Sequence, residues 1–200
     1  MLPRALLVVD VQTDFCKGGS LAIDGADEVI PRLNEVIDTF RMAMLPIFFT
    51  RDWHPSNHIS FSTRGGAWPP HCIKGSQGAT FHSKLVVPPS AVVIDKGTEP
   101  DYEAYSGFQG TDLEKRLEEK RIDEVFIGGL ATDYCVKQTA LDALKYGLRV
   151  IVLVDCIKGV DLRVGDSKRV LQEIAAKGVK LINSREALKL WILQSKQTLQ

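Results

Sequence analysis

The chain has 200 residues, and 25 Lys and Arg balance 25 Asp and Glu, so its formal net charge is zero with four neutral histidines. That length suits one domain with an ample core, and 44% apolar with 25% charged residues are globular values that exclude disorder and low-complexity scaffolds. Balanced charge argues against nucleic-acid and membrane-surface binding, both of which need an excess of Lys and Arg.

No apolar run approaches a bilayer span; the longest, such as Val150 to Val154, last five residues. The amino-terminal run Ala5 to Val9 is too short for a signal peptide and ends at Asp10, so a cytoplasmic protein is expected. Cys16, Cys72, Cys135 and Cys156 show no C-x-x-C pairing. In a reducing compartment they are free thiols, each either core filler or reactive.

In chain order, strands are expected at Ala5–Asp10, Pro46–Arg51, Ala91–Lys96, Glu124–Gly129, Arg149–Asp155 and Lys180–Asn183. Near-continuous Val, Ile, Leu and Phe without alternation marks strands buried on both faces. Helices are expected at Glu28–Met44, Thr111–Lys120, Thr132–Tyr146 and Asp166–Lys177, with Gly147 and Gly178 as left-handed caps for the last two. Alternating β and α dictates a parallel sheet covered by helices on both sides. Two long irregular stretches, Asp52–Pro89 and Thr98–Gly110, interrupt the rhythm, and loops of that length are usually functional. A last helix is expected over Ser184–Leu199, with Ser184 as its cap and an apolar face at Trp191 and Ile192. The domain then spans residues 1–183, and residues 184–200 form a helical extension that docks on its own sheet or on another subunit.

Open parallel sheets collect functional groups beyond their carboxyl ends. Asp10, Lys96 and Cys135 fall there, although an isolated Asp there is most often a turn or cap residue and an isolated Lys a solvated end. Cys135 follows the strand ending Gly128-Gly129-Leu130-Ala131, with Thr132 as a helix cap, so it belongs in a first helical turn. There the helix dipole should lower a thiol pKa, and free N–H groups could hold an oxyanion. A small buried hydrophobe fits that position equally well. In Asp52-Trp53-His54 the carboxylate and imidazole point the same way if the segment is extended, and His58 and His71 follow within the same loop. A carboxylate with two or three imidazoles suits zinc, iron or manganese and leaves a position for water or substrate. His82 reads as structural.

Together these motifs resemble the nicotinamidase/pyrazinamidase family, within the isochorismatase-like cysteine hydrolases. The matching stretches are Val8-Val9-Asp10-Val11-Gln12-Thr13-Asp14-Phe15, Asp52-Trp53-His54-Pro55, Trp68-Pro69-Pro70-His71-Cys72, Lys96-Gly97 with Tyr105-Ser106-Gly107-Phe108, and Gly129-Leu130-Ala131-Thr132-Asp133-Tyr134-Cys135. The resemblance implies a doubly wound, mainly parallel six-stranded sheet that hydrolyses nicotinamide in NAD salvage, and pyrazinamide in members that accept it. It implies Cys135 as nucleophile, Asp10 as general base, Lys96 as the charge-balancing third member, and an oxyanion hole from the backbone N–H groups of Ala131 and Cys135 beside a cis Leu130–Ala131 peptide. It further implies one divalent metal ion on Asp52, His54 and His71, with zinc expected ahead of iron or manganese. His58 is a fourth ligand in some members and a supporting group in others. Ring contacts map onto Phe15, Trp68 and Tyr105. Tyr134 occupies a variable position and says little about substrate. Within the same superfamily the alternative is a metal-independent amidase for carbamoyl or ureido compounds, against which the Asp52, His54 and His71 set weighs. A chorismate-derived vinyl-ether hydrolase is disfavoured by the cysteine. From other classes, a catalytically silent metal-binding scaffold or a redox sensor would keep the fold, but all six positions are present together and no second Cys neighbours Cys135 in sequence to resolve a sulfenic acid.

Overall fold

A computed structural model describes residues 3–189. Six strands form one parallel sheet: β1 (Arg4–Val9), β2 (Ile47–Asp52), β3 (Val92–Lys96), β4 (Glu124–Leu130), β5 (Arg149–Lys158) and β6 (Lys180–Ile182). Four α-helices alternate with them: α1 (Val29–Met42), α2 (Leu113–Glu119), α3 (Lys137–Lys145) and α4 (Asp166–Ala176). The spatial order is β3-β2-β1-β4-β5-β6. The chain therefore moves outward from β1 in one direction through β3, then crosses to β4 on the other side of β1. The gap between the ends of β1 and β4 is the topological switch point, where an open α/β sheet forms its crevice.

Strand period two sends alternate residues to opposite faces. Leu6 and Val8 pack with Phe49, Phe126 and Leu153 against α1, which buries Leu33, Ile37 and Phe40 completely. Leu7 and Val9 pack with Phe48, Ile127 and Val152 on the opposite face, against Leu113 and Leu117 of α2, Ala140 of α3 and Ile174 of α4. Each fully buried Leu, Ile or Phe contributes about 1.5–3 kcal/mol of hydrophobic free energy. Gly147 and Gly178 follow α3 and α4 with φ of 78° and 105°, as expected of left-handed caps.

Two local expectations need correction. Thr132 is not a cap: it lies inside a π-helical turn, Thr132–Val136, that precedes α3. Ser184 does not cap its helix either. The helix begins at Ser184, whose N–H and hydroxyl both donate to the Asp155 carboxylate of β5, each at 2.7 Å. A strand-borne carboxylate thus does the work of an N-terminal cap. Ala187 and Leu188 of this helix pack into the α1-side core. Leu190 onward, including Trp191 and Ile192, lies outside the described residues. Among the described residues no helix is long and apolar enough to cross a membrane.

Candidate active site

Parallel register assembles the site. Asp52, the last residue of β2, sits directly opposite Lys96, the last of β3, while Val9 of β1 sits opposite Thr50 and Gly129. Asp10 follows β1 with φ of 49° and is fully buried. β4 comes close enough to β1 that a Cβ on Gly129, whose φ is 123°, would lie 2.0 Å from the Val9 carbonyl oxygen. Only glycine fits there, and the cis Leu130–Ala131 peptide follows it directly. The Ala131 carbonyl accepts the N–H groups of Tyr134 and Val136, which flank Cys135.

Lys96 is the electrostatic hub. Its ammonium, 1% exposed, faces four partners: a carboxylate oxygen of Asp52, Asp10 Oδ2 at 3.0 Å, the Ala104 carbonyl at 3.1 Å and Cys135 Sγ at 3.4 Å. Three protons cannot align with four partners at once. Asp10 Oδ2 is the one left without an aligned donor, although it touches the ammonium. Its other oxygen accepts the Thr50 hydroxyl at 2.6 Å. Asp10, Asp52 and Cys135 offer atoms within 4.8 Å of one another.

Burial opposes every charge here, and the partners decide the outcome. For Lys96, Asp10 and Asp52 outweigh burial and hold the ammonium well above its ordinary pKa. Burial would raise Asp52, but Lys96 and His54 hold it well below the usual carboxylate range. At Asp10 burial wins over Lys96 and the carboxyl is raised. Burial also pushes the Cys135 thiol well above its ordinary value, with Lys96 pulling it back. The expected lowering by a helix dipole is therefore overturned. The α-helix starts only at Lys137, beyond the sulfur, and the sulfur itself is desolvated beside two carboxylates.

The histidines separate into two kinds. His54 directs Nδ1 at the Gly97 carbonyl at 2.8 Å, and His71 directs Nδ1 at the Pro69 carbonyl at 2.8 Å. Carbonyls only accept, so both rings carry their proton on Nδ1, and Nε2 of His54 turns toward Asp52 Oδ2 at 3.6 Å. Asp52, His54 and His71, all buried, place ligand atoms within 4.8 Å of one another. Gly97 makes this close approach possible: with φ of 61°, it leaves a space where a Cβ would meet His54 Cε1 at 2.4 Å. His58 instead uses both nitrogens, accepting the Ser60 N–H at Nδ1 at 3.3 Å and donating from Nε2 to the Tyr102 carbonyl at 3.0 Å. It stacks on His54 with centroids 4.0 Å apart, and burial lowers its pKa to about 4. His82 stands apart, against Asp27.

Above these groups lies a cleft walled by Phe15, Trp68, Tyr105 and Tyr134, with Cys135, Ala131, Asp52, His54 and His71 at its polar end. Trp68 Nε1–H donates to the Tyr105 hydroxyl at 3.0 Å, and Tyr134 meets the Trp68 ring edge-on at 5.0 Å. Tyr134, left aside as uninformative in the sequence reading, is thus a wall of the cavity. Thr50, Glu103 and Gln12 also went unmarked as site residues. The buried Gln12 side chain accepts the Asp52 N–H and donates to the Asp52 carbonyl, both at 2.8 Å, and donates to Ala79 O at 2.9 Å, so it fixes the backbone of one ligand. No local signal in the sequence marks this role, because Gln12 stands in the polar stretch Asp10-Val11-Gln12-Thr13-Asp14 that follows β1.

Comparison with known proteins identifies the family. An isochorismatase-domain family profile matches residues 4–186. A nicotinamidase of Escherichia coli is 39% identical over 202 residues, spanning 90% of this chain and 95% of that protein. The crystal structure of a Pyrococcus horikoshii pyrazinamidase in complex with zinc superposes with a TM-score of 0.87 at 49% identity, covering 90% of this chain and 99% of that one. The yeast nicotinamidase bound to the inhibitor nicotinaldehyde gives 0.83 at 30% identity, covering 90% and 99%. The chain belongs to the isochorismatase family.

Proposed function

We propose that the chain hydrolyses nicotinamide to nicotinate and ammonia, as a cytoplasmic enzyme of NAD salvage. One observation carries the reading: a buried Lys96 ammonium bridges a cysteine thiol and two carboxylates at the end of a cavity with aromatic walls. In this reading Asp10, as carboxylate, takes the Cys135 proton, and Lys96 stabilises whichever of the two is negative. Burial raises the Asp10 carboxyl and so makes its carboxylate a stronger base, while the Lys96 ammonium pulls the Cys135 thiol back toward ionisation. The thiolate attacks the carboxamide carbon, and the carbonyl electron pair moves to oxygen, toward the backbone N–H groups of Ala131 and Cys135. As the C–N bond breaks, Asp10 returns its proton to nitrogen and ammonia leaves a thioester on Cys135. Asp10 then takes a proton from water, hydroxide adds to the acyl carbon, the C–S bond breaks and the thiolate recovers its proton.

Phe15, Trp68 and Tyr105 supply flat walls for the pyridine ring. Asp52, His54 and His71 suit a divalent cation, zinc first: two imidazoles with Nδ1 protons spent on carbonyls and a carboxylate leave three donor atoms and open positions. When bound, such an ion supplies a Lewis acid that anchors the ring nitrogen. Residues 1–183 are the hydrolase domain in this reading, and 184–200 an extension.

An amide panel assayed for ammonia, with and without chelator, tests the proposal. Nicotinamide should be the preferred amide and chelator should reduce turnover. Release from an N-carbamoyl amide but not from nicotinamide would overturn it.

A further inference from the structure

A second set of metal-ligating side chains lies outside the site described above. Cys16, Asp27 and His82 bring a sulfur, a carboxylate oxygen and an imidazole nitrogen within 4.8 Å of one another. They come from three separate segments. Cys16 follows the 3₁₀ turn Thr13–Phe15, with its N–H on the Thr13 carbonyl at 3.1 Å. Asp27 belongs to the 3₁₀ turn Ala26–Glu28, and its carboxylate also accepts the Lys17 N–H at 3.0 Å. His82 closes the long loop, its N–H donating to the Val11 carbonyl at 3.0 Å and its Nε2 standing 3.2 Å from Asp27 Oδ1.

The chemistry of this set points to a cation. The sulfur is 1% exposed, whereas the side chains of His82 and Asp27 are 16% and 42% exposed, so the cluster opens to solvent through its two harder ligands. A reactive thiol does not account for Cys16, because burial and Asp27 push it up to about 12. A thiolate, an imidazole and a carboxylate form a mixed set suited to zinc or cobalt and poorly suited to calcium or magnesium.

We propose that Cys16, Asp27 and His82 form a second binding site for a zinc-class divalent cation, with solvent in the fourth position. Tetrahedral ligation places donor atoms about 3.5 Å apart, so no pair in the cluster has to close by more than about 1.3 Å. On binding, Cys16 releases its proton to solvent. With Nε2 turned to the ion, His82 carries its ring proton on Nδ1, giving up the Lys84 N–H at 3.2 Å and the direct Asp27 contact at 3.2 Å. The ion would staple the segment that walls the cavity, because Phe15 precedes Cys16, and Leu21 and Ile23 lie between Cys16 and Asp27. Its effect should therefore appear in thermal stability and KM, with kcat unchanged.

The test is Co(II) titration of chelator-treated protein, with bound metal counted by elemental analysis and thiolate ligation read from the thiolate-to-cobalt charge-transfer absorption. The wild type should bind two ions per chain and show the band. Cys16→Ala and His82→Ala should each lose one ion and the band, His71→Ala should lose one ion and keep the band, and Cys135→Ala should keep both. His82 is partly exposed, so its variant reports even where Cys16→Ala fails to fold. No band in the wild type, or a band that survives in Cys16→Ala or His82→Ala, would overturn the proposal. These readouts need no turnover, so they stand or fall apart from the nicotinamide reading.

Discussion

Thr50→Val isolates the one hydrogen bond that Asp10 receives from an aligned side-chain donor. The Thr50 hydroxyl donates to Asp10 Oδ1 at 2.6 Å inside a fully buried site, and the other oxygen has ionic contact with Lys96 but no aligned hydrogen. Valine keeps the shape and removes the donor. A hydrogen bond to a charged group is worth about 1.5–3 kcal/mol, and here it favours the ionised carboxylate over the acid. Its loss raises the Asp10 pKa further above the ordinary value, so less carboxylate is available to accept the thiol proton. At about 1.4 kcal/mol per tenfold, kcat/KM for nicotinamide should fall about 10- to 100-fold, and the acid limb of its pH profile should move to higher pH. Stability should fall by about 1–3 kcal/mol, because Oδ1 loses its partner in a dry site, and a chain of this size loses about 2–4 °C of Tm per kcal/mol. The assay is ammonia release across pH, paired with a melting curve. An unchanged pH profile with parental kcat/KM would refute the assignment of Asp10 as the base.

Other substitutions should separate by mechanism. Lys96→Met leaves Asp10 and Asp52 buried without their cation; a broken buried ion pair costs about 3–5 kcal/mol, so activity should vanish and the melting temperature should drop, as calorimetry would show. Gly97→Ala forces a Cβ to within 2.4 Å of the His54 ring at a left-handed φ, and metal affinity measured by chelator competition should fall about 10- to 100-fold. His58→Ala should keep its full metal content by elemental analysis, because both nitrogens of His58 are spent on Ser60 and Tyr102, whereas His71→Ala should lose one ion per chain. Deleting residues 184–200 strips the Asp155 carboxylate of both Ser184 donors and takes Ala187 and Leu188 out of the α1-side core, and Tm should fall by about 2–8 °C.

The six strands and four helices were legible because their signal is local: buried parallel strands are runs of branched aliphatics, and Gly147 and Gly178 punctuate the helix ends. Asp10, Lys96 and Cys135 were also legible as candidates, each standing just past or at the end of such a run. What the residue pattern does not encode is register. That Asp52 lands opposite Lys96, and that Gly129 passes against Val9, depends on strand order and pairing, which are long-range properties. The thiol pKa was misjudged for the same reason. A first helical turn can be read from local sequence, but the depth of burial and the two carboxylates beside Cys135 come from strands more than eighty residues away in sequence. Thr50 and Gln12 went unmarked as site residues because a buried polar side chain shows its purpose only once its partners are placed. Tyr134 stands at a position that the resemblance marks as variable; its ring matters through Trp68 and Tyr105, which arrive from two separate loops.

The central claim is that Cys135 carries the acyl group, and acid-quenched mass spectrometry during turnover tests it most directly. With nicotinamide in excess, the peptide containing Cys135 should carry a nicotinoyl group that disappears as substrate is exhausted, and Cys135→Ala should release no ammonia. Ammonia released at the wild-type rate by Cys135→Ala, or a nicotinoyl group found on another residue, would contradict the account.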